Sequence, residues 1–239
     1  MIPKIIHYCW FGQNPLPDSA KKCIDSWHKF FPDYEIKEWN EDNFDVNEIQ
    51  YTSEAYNAGK YAFVSDYARF KILYEHGGIY FDTDVEVIKS FDDILKLGPF
   101  LGAEIDGNEK KNIYPKVAPG LCIGAEKKMP IINHIINKYK TLDFWGEDGM
   151  FNKYTMIPLV TDLLIEAGMH PTNKIQKVQD IMIYPSDYFN PLDIATGRLR
   201  ITPNTHSIHW FMASWLAPQP LWIKKSKQYM RRLFSLFRK

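Results

Sequence analysis

Residues 61–84 constrain this chain most. Phe63, Tyr67, Phe70, Ile72, Leu73 and Tyr74 form the broad apolar face of a helix over 61–76. Gly77-Gly78 ends that helix in the manner of a C-cap. Ile79-Tyr80-Phe81 follows as a short buried strand that runs straight into Asp82-Thr83-Asp84. The chain must therefore pass from a mostly buried helix through two glycines to a strand with two acids at its carboxyl end.

The rest of the chain has the same rhythm. Residues 4–10 are an apolar strand, and Pro17-Asp18-Ser19 opens a helix over 20–31. Residues 34–39 alternate like a strand, and 100–105 and 121–125 are further strands. Helices over 130–142 and 158–167 each begin with Pro, whose missing N–H costs nothing in a first turn. Residues 106–119 and 143–153 are polar loops that contain glycine. Helices and strands alternate throughout, so the class is α/β. A single domain over 1–217, with a separate tail over 218–239, accounts for the 239 residues.

In extended geometry Thr83 points away from its neighbours, so Asp82 and Asp84 project to one side. Hard carboxylate oxygens suit Mg²⁺ or Mn²⁺, and a site with one or two protein carboxylates leaves positions for a diphosphate. An Asp-x-Asp alone fits a solvated turn equally well. Asp66 and Arg69, three apart on the preceding helix, share a face. On a largely buried helix both need partners, and sugar hydroxyls or a phosphate would serve.

Cys9, Cys23 and Cys122 are widely spaced, which argues against a disulfide framework or a zinc site and favours a reducing compartment. The first ten residues do not have the pattern of a signal peptide, and no apolar run is long enough to span a bilayer. A net charge of zero conceals an asymmetry. After Asp193 there are nine bases and no acid, so the preceding part carries −9. Residues 221–239 form a basic amphipathic segment with Trp222, Tyr229, Met230, Leu233, Phe234 and Phe237 near one side. That pattern predicts docking on an anionic membrane surface, or packing against the acidic body; nucleic acid is not expected as a partner.

Ser65-Asp66-Tyr67-Ala68-Arg69 followed by His76-Gly77-Gly78-Ile79-Tyr80-Phe81-Asp82-Thr83-Asp84 resembles the DXD sugar-binding region of glycosyltransferase family 32. That family includes bacterial capsule and lipopolysaccharide enzymes and fungal mannosyltransferases, and the same core resembles that of the clostridial glucosylating toxins. Residues 2–12, Ile-Pro-Lys-Ile-Ile-His-Tyr-Cys-Trp-Phe-Gly, resemble the family's first strand. Ile208-His209-Trp210 with Ser214-Trp215 resembles its closing element. Residues 106–180 match weakly, and acceptor recognition is expected there.

The resemblance implies a GT-A fold, a Rossmann-like mixed sheet flanked by helices. It also implies retaining transfer of a hexose from a nucleotide-sugar, UDP-hexose before GDP-mannose. The acceptor would be an oligosaccharide or lipid-linked sugar, in surface polysaccharide synthesis on the cytoplasmic face of a bacterial membrane. Trp10 would stack on the nucleobase, though it also fits a core position. Tyr80 would line the ribose and base pocket, though an aromatic at the end of a buried strand equally fits packing. Asp66 and Arg69 would hold the donor sugar's hydroxyls. Asp82 would contact the ribose and sugar, Asp84 would ligate Mn²⁺ or Mg²⁺, and Ser214 and Trp215 would close over the diphosphate. His209 is a candidate second ligand that would favour Mn²⁺, or else a structural histidine, with His206 close by. No residue stands out as a nucleophile, so attack on the same face as the leaving phosphate is expected. Two rival readings are a non-catalytic binding scaffold and a phosphatase of the haloacid-dehalogenase type, whose signature Phe81-Asp82-Thr83-Asp84-Val85 superficially fits.

Overall fold

The computed structural model of the chain describes residues 1–152 and 154–212. The expected boundary at 217, Ser214, Trp215 and the basic segment 221–239 lie outside the described residues. The chain opens β1 (Ile5–Cys9), α1 (Asp18–Phe30), β2 (Glu35–Trp39), α2 (Gln50–Asn57), α3 (Tyr61–His76) and β3 (Gly78–Tyr80). It continues through β4 (Val85–Val87), α4 (Asp92–Leu95), β5 (Phe100–Ile105), β6 (Lys116–Val117), β7 (Ile123–Ala125), α5 (Pro130–Tyr139) and α6 (Met156–Glu166). Then come β8 (Gln176–Val178), β9 (Ile181–Tyr184), α7 (Ser186–Phe189), a β10 (Leu192–Asp193) and β11 (Arg198–Leu199) hairpin, and β12 (Ser207–His209).

The central sheet has the order β2-β1-β3-β7-β5-β9-β8, with β6 on β5. β1 runs parallel to β2 and β3; β7 is antiparallel to both β3 and β5, and β9 is parallel to β5. The carboxyl ends of β1, β2, β3, β5 and β9 therefore open on one edge. This is the mixed α/β sheet flanked by helices that the sequence predicts.

Strand alternation divides the core in two. Cys9, Tyr80, Leu101, Ile123 and Ile183 face α2, α3, α5 and α6. Ile6, Tyr8, Ile79, Phe81, Phe100, Cys122 and Tyr184 face α1, Phe91 and α7. Across the second face, Trp27 is fully buried, and its indole N–H donates to the Val85 carbonyl at 2.8 Å.

His7 joins three strands. Its Nδ1 accepts from Trp39 Nε1 at 3.0 Å on β2, so Nε2 carries the proton and donates to the Gly77 carbonyl at 2.9 Å. Gly77 has φ 63° and Gly78 φ 104°, a conformation that glycine adopts without strain. A Cβ at Gly78 would also press on the Ile5 carbonyl at 2.6 Å, so the double glycine lets β3 lie against β1.

Candidate active site

The structure brings Asp66, Arg69, Tyr80, Asp82, Asp84 and His209 together at the carboxyl edge of β3, where open α/β sheets collect their ligands. Asp82 and Asp84 do not converge through extended alternation, as the sequence predicts. β3 ends at Tyr80, and residues 83–84 form a turn in which the Val85 N–H donates to the Asp82 carbonyl at 3.0 Å. The turn aims both carboxylates at His209, carried in by β12, which pairs antiparallel with β4. His209 Nε2 lies 3.1 Å from Asp84 Oδ1 and 3.8 Å from Asp82 Oδ2. The Met212 N–H donates to Asp84 Oδ2 at 2.8 Å, and the Trp210 N–H to the Asp84 carbonyl at 3.0 Å.

Arg69 is 2% exposed and lies between two acids. Its Nη2 donates to Asp66 Oδ1 at 2.8 Å, its Nη1 lies 3.3 Å from Asp82 Oδ1, and its Nε donates to the Ser65 carbonyl at 3.1 Å. The guanidinium stacks 4.8 Å from the centre of the Tyr80 ring. Tyr80 is fully buried, and its hydroxyl donates to Asp82 Oδ1 at 3.2 Å. Tyr80 therefore supports Arg69 and Asp82 from below. An aromatic at a strand end has the same sequence pattern whether it packs or binds.

Charge is distributed unevenly across this cluster. Burial alone would lift the Asp82 carboxyl, but Arg69, then His209 and Tyr80, outweigh it and hold Asp82 below the usual carboxylate range. Asp66 has only Arg69 to oppose burial and the Asp82 charge, and its carboxyl rises to about 6. Burial opposes charge on His209 too, yet the two carboxylates lift its imidazole to about 9. Cys9 lies beneath Tyr80 and Ser65, and burial pushes its thiol up to about 12, too high for a nucleophile at neutral pH.

Asp82, Asp84 and His209 each offer one ligand atom, and these atoms all lie within 4.8 Å of one another. Two carboxylate oxygens and an imidazole nitrogen suit a divalent ion such as Mn²⁺ once the imidazole proton has left. Asp82 joins Asp84 and His209 in this set; the spacing of the two acids already pairs them at a cation, while the family resemblance gives Asp82 ribose and sugar contacts. His209 Nδ1 is buried and has no hydrogen-bond partner among the described residues. Trp10 is half-buried at the end of β1, with its indole N–H on the Asn14 carbonyl at 2.5 Å.

Sequence reasoning misses Gly120. Its carbonyl accepts the Asp82 N–H at 3.2 Å, and a Cβ there would lie 2.9 Å from Arg69 Nη1. Pro119-Gly120 has the pattern of a loop, and nothing local signals its distant partner.

An enzyme that acts on an activated sugar is the class this fold and cluster define. Residues 17–101 match the family model described as the glycosyltransferase sugar-binding region containing the DXD motif. An uncharacterized glycosyltransferase of Acanthamoeba polyphaga mimivirus is 31% identical over 199 residues, covering 80% of this chain and 76% of the relative. The chain therefore belongs to the DXD-containing glycosyltransferases. Inositol phosphoceramide mannosyltransferase 3 of Schizosaccharomyces pombe is 36% identical over 106 residues, 39% of this chain but only 27% of that protein. Among solved structures, the PaToxG glycosyltransferase aligns over 69% of each chain with 21% identity and a TM-score of 0.47. Family membership sets aside the phosphatase reading of residues 81–85.

Proposed function

We propose that the chain is a retaining, divalent-metal-dependent hexosyltransferase that uses a nucleotide-sugar donor. The observation that carries this reading is the meeting of Asp82, Asp84 and His209 beside the buried Asp66–Arg69 pair. Asp84 and His209, joined by Asp82, would hold the ion, preferentially Mn²⁺ because of the imidazole. When bound, such an ion stabilises negative charge on the departing diphosphate as a Lewis acid. Arg69 adds a fixed positive charge that needs no reorganisation during transfer. Asp66 and Asp82 offer acceptors for the donor sugar's hydroxyls, and Trp10 a flat surface for the nucleobase.

UDP-hexose is the favoured donor on the family resemblance. GDP-mannose is the second reading, favoured by the mannosyltransferase relatives. The acceptor is a carbohydrate, lipid-linked in keeping with the inositol phosphoceramide of those relatives' names. A surface polysaccharide role at the cytoplasmic face of a bacterial membrane rests on the resemblance and on the nine bases after Asp193. The test is thermal-shift screening of UDP-glucose, UDP-galactose, their N-acetylated forms and GDP-mannose with Mn²⁺. The hit is then assayed for release of the nucleoside diphosphate. One donor should stabilise the protein and be turned over only with metal present. Equal turnover in excess chelator would reject metal dependence.

A further inference from the structure

Glu104 and Asn190 stand at the same sheet edge with no part in the cluster described above. β5 pairs with β6 through Ala103 and Val117, then through Ile105 and Lys116, so Glu104 is an extra residue at a register shift. Such a shift re-aims a side chain and recurs beside active sites. Phe189 of α7 lies against Gly102, two residues before Glu104, and Asn190, which follows Phe189, reaches the Glu104 backbone. The same α7 packs on β12, which carries His209. Burial pushes the Glu104 carboxyl up, and His209, then Lys116, pull it back. Among the described residues the carboxylate makes no hydrogen bond or ion pair; only the Glu104 backbone carbonyl is engaged.

That carbonyl accepts from Asn190 Nδ2 at 3.1 Å, which fixes the amide and leaves Asn190 Oδ1 buried and, among the described residues, unpaired. A buried acceptor without a donor is costly and calls for a partner. Together the two side chains present the Glu104 carboxylate and Asn190 Oδ1 as acceptors, with one further Asn190 amide N–H as a donor. The Glu104 charge disfavours an anion, so phosphate is a poor occupant. A neutral polyol brings O–H groups that donate to these acceptors and can accept from the remaining amide N–H.

We infer that Glu104 and Asn190 form the acceptor subsite, each accepting a hydrogen bond from a hydroxyl of a neutral sugar unit. This rests on the glycosyltransferase reading above. The two residues lie just outside the 106–180 stretch in which the sequence places acceptor recognition.

The test uses the full chain with Mn²⁺ and UDP, and GDP in a parallel arm. Saturation-transfer NMR reports binding of the methyl glycosides of glucose, galactose and mannose, while calorimetry reports nucleotide affinity. Wild-type protein should bind at least one glycoside. Glu104→Gln should weaken that glycoside about tenfold, the scale of one hydrogen bond to a charged group. Nucleotide affinity should change less than about twofold, because Glu104 is no part of the metal cluster. Asn190→Ala should act in the same direction. It also removes the bond to the Glu104 carbonyl, so the isosteric Glu104→Gln decides the matter. Unchanged glycoside binding in Glu104→Gln, equal loss of glycoside and nucleotide, or no glycoside bound by wild-type protein that binds nucleotide would each overturn the assignment. Failure of wild-type protein to bind either nucleotide with Mn²⁺ would instead overturn the nucleotide-sugar reading, and this one with it.

Discussion

Gly120 holds Asp82 from two directions: its carbonyl accepts the Asp82 N–H, and its missing side chain leaves the space that Asp82 Oδ2 fills. A methyl group there would fall well inside the contact distance of that oxygen and close to Arg69 Nη1. Gly120→Ala should therefore displace the Asp82 carboxylate and lower turnover by at least about tenfold, since small misplacements near the reacting atoms are expensive. Steady-state kinetics with the identified donor check this. Wild-type rates in Gly120→Ala would show that Asp82 tolerates another position.

Arg69 balances two acids with one charge, so its removal strands both. Arg69→Met should destabilise the protein by about 3–5 kcal/mol, the usual cost of breaking a buried ionic network by deleting one member. Arg69→Lys keeps the charge but loses the fork that reaches Asp66, Asp82 and the Ser65 carbonyl together, and should recover only part of the loss. Urea denaturation of the three proteins gives the comparison. A loss under about 1 kcal/mol for Arg69→Met would mean that the acids are stable without it.

Much of this site is legible in the sequence because its parts are local. Residues 61–76 carry a helical apolar face, the double glycine announces a sharp turn, and the acids follow at once. The helix at Tyr61–His76 and the strand at Phe100–Ile105 match their expected bounds. What is not legible depends on long-range pairing. His209 is singled out in the sequence through the family resemblance and the chemistry of imidazole, while its approach to Asp84 is set by β12 pairing with β4, more than a hundred residues apart. The Gly120 contact and the Glu104 register shift are likewise products of strand neighbours. Short polar strands such as Gln176–Val178 are missed because they lack an apolar pattern, and β9 supplies their partner.

His7 makes a pH prediction with a definite sign. Burial, which opposes charge most, lowers its imidazole from 6.5 to about 4, so the folded protein keeps it neutral. Below about pH 6.5 the unfolded chain takes up a proton that the folded one refuses, so stability falls as pH drops, until about pH 4. Between about pH 7.5 and 5 the loss should be about 2 kcal/mol. His7→Gln should be less stable at neutral pH, yet lack this part of the pH dependence. Urea midpoints of both proteins at the two pH values measure the difference; parallel changes would assign the slope to other groups.

Asp84 and His209 can be separated by metal preference. Asp84 supplies a hard oxygen that suits Mn²⁺ and Mg²⁺ alike, whereas the His209 nitrogen favours the transition metal. Asp84→Asn should weaken binding of both ions and cut transfer by at least about a hundredfold, ~2.7 kcal/mol of transition-state stabilisation. His209→Ala should weaken Mn²⁺ by at least about tenfold while Mg²⁺ changes less, so that the two ions support more nearly equal rates. The Met212 N–H on Asp84 Oδ2 keeps an acceptor in Asp84→Asn if the amide oxygen takes that position, so the strand pairing should survive. Calorimetric titration of each ion in the presence of nucleotide, with circular dichroism as a check on the fold, distinguishes the cases. Near-normal transfer by folded Asp84→Asn with added Mn²⁺ would remove Asp84 from the ligand set. An equal loss of Mn²⁺ and Mg²⁺ in His209→Ala would reduce His209 to a charge partner of the two acids.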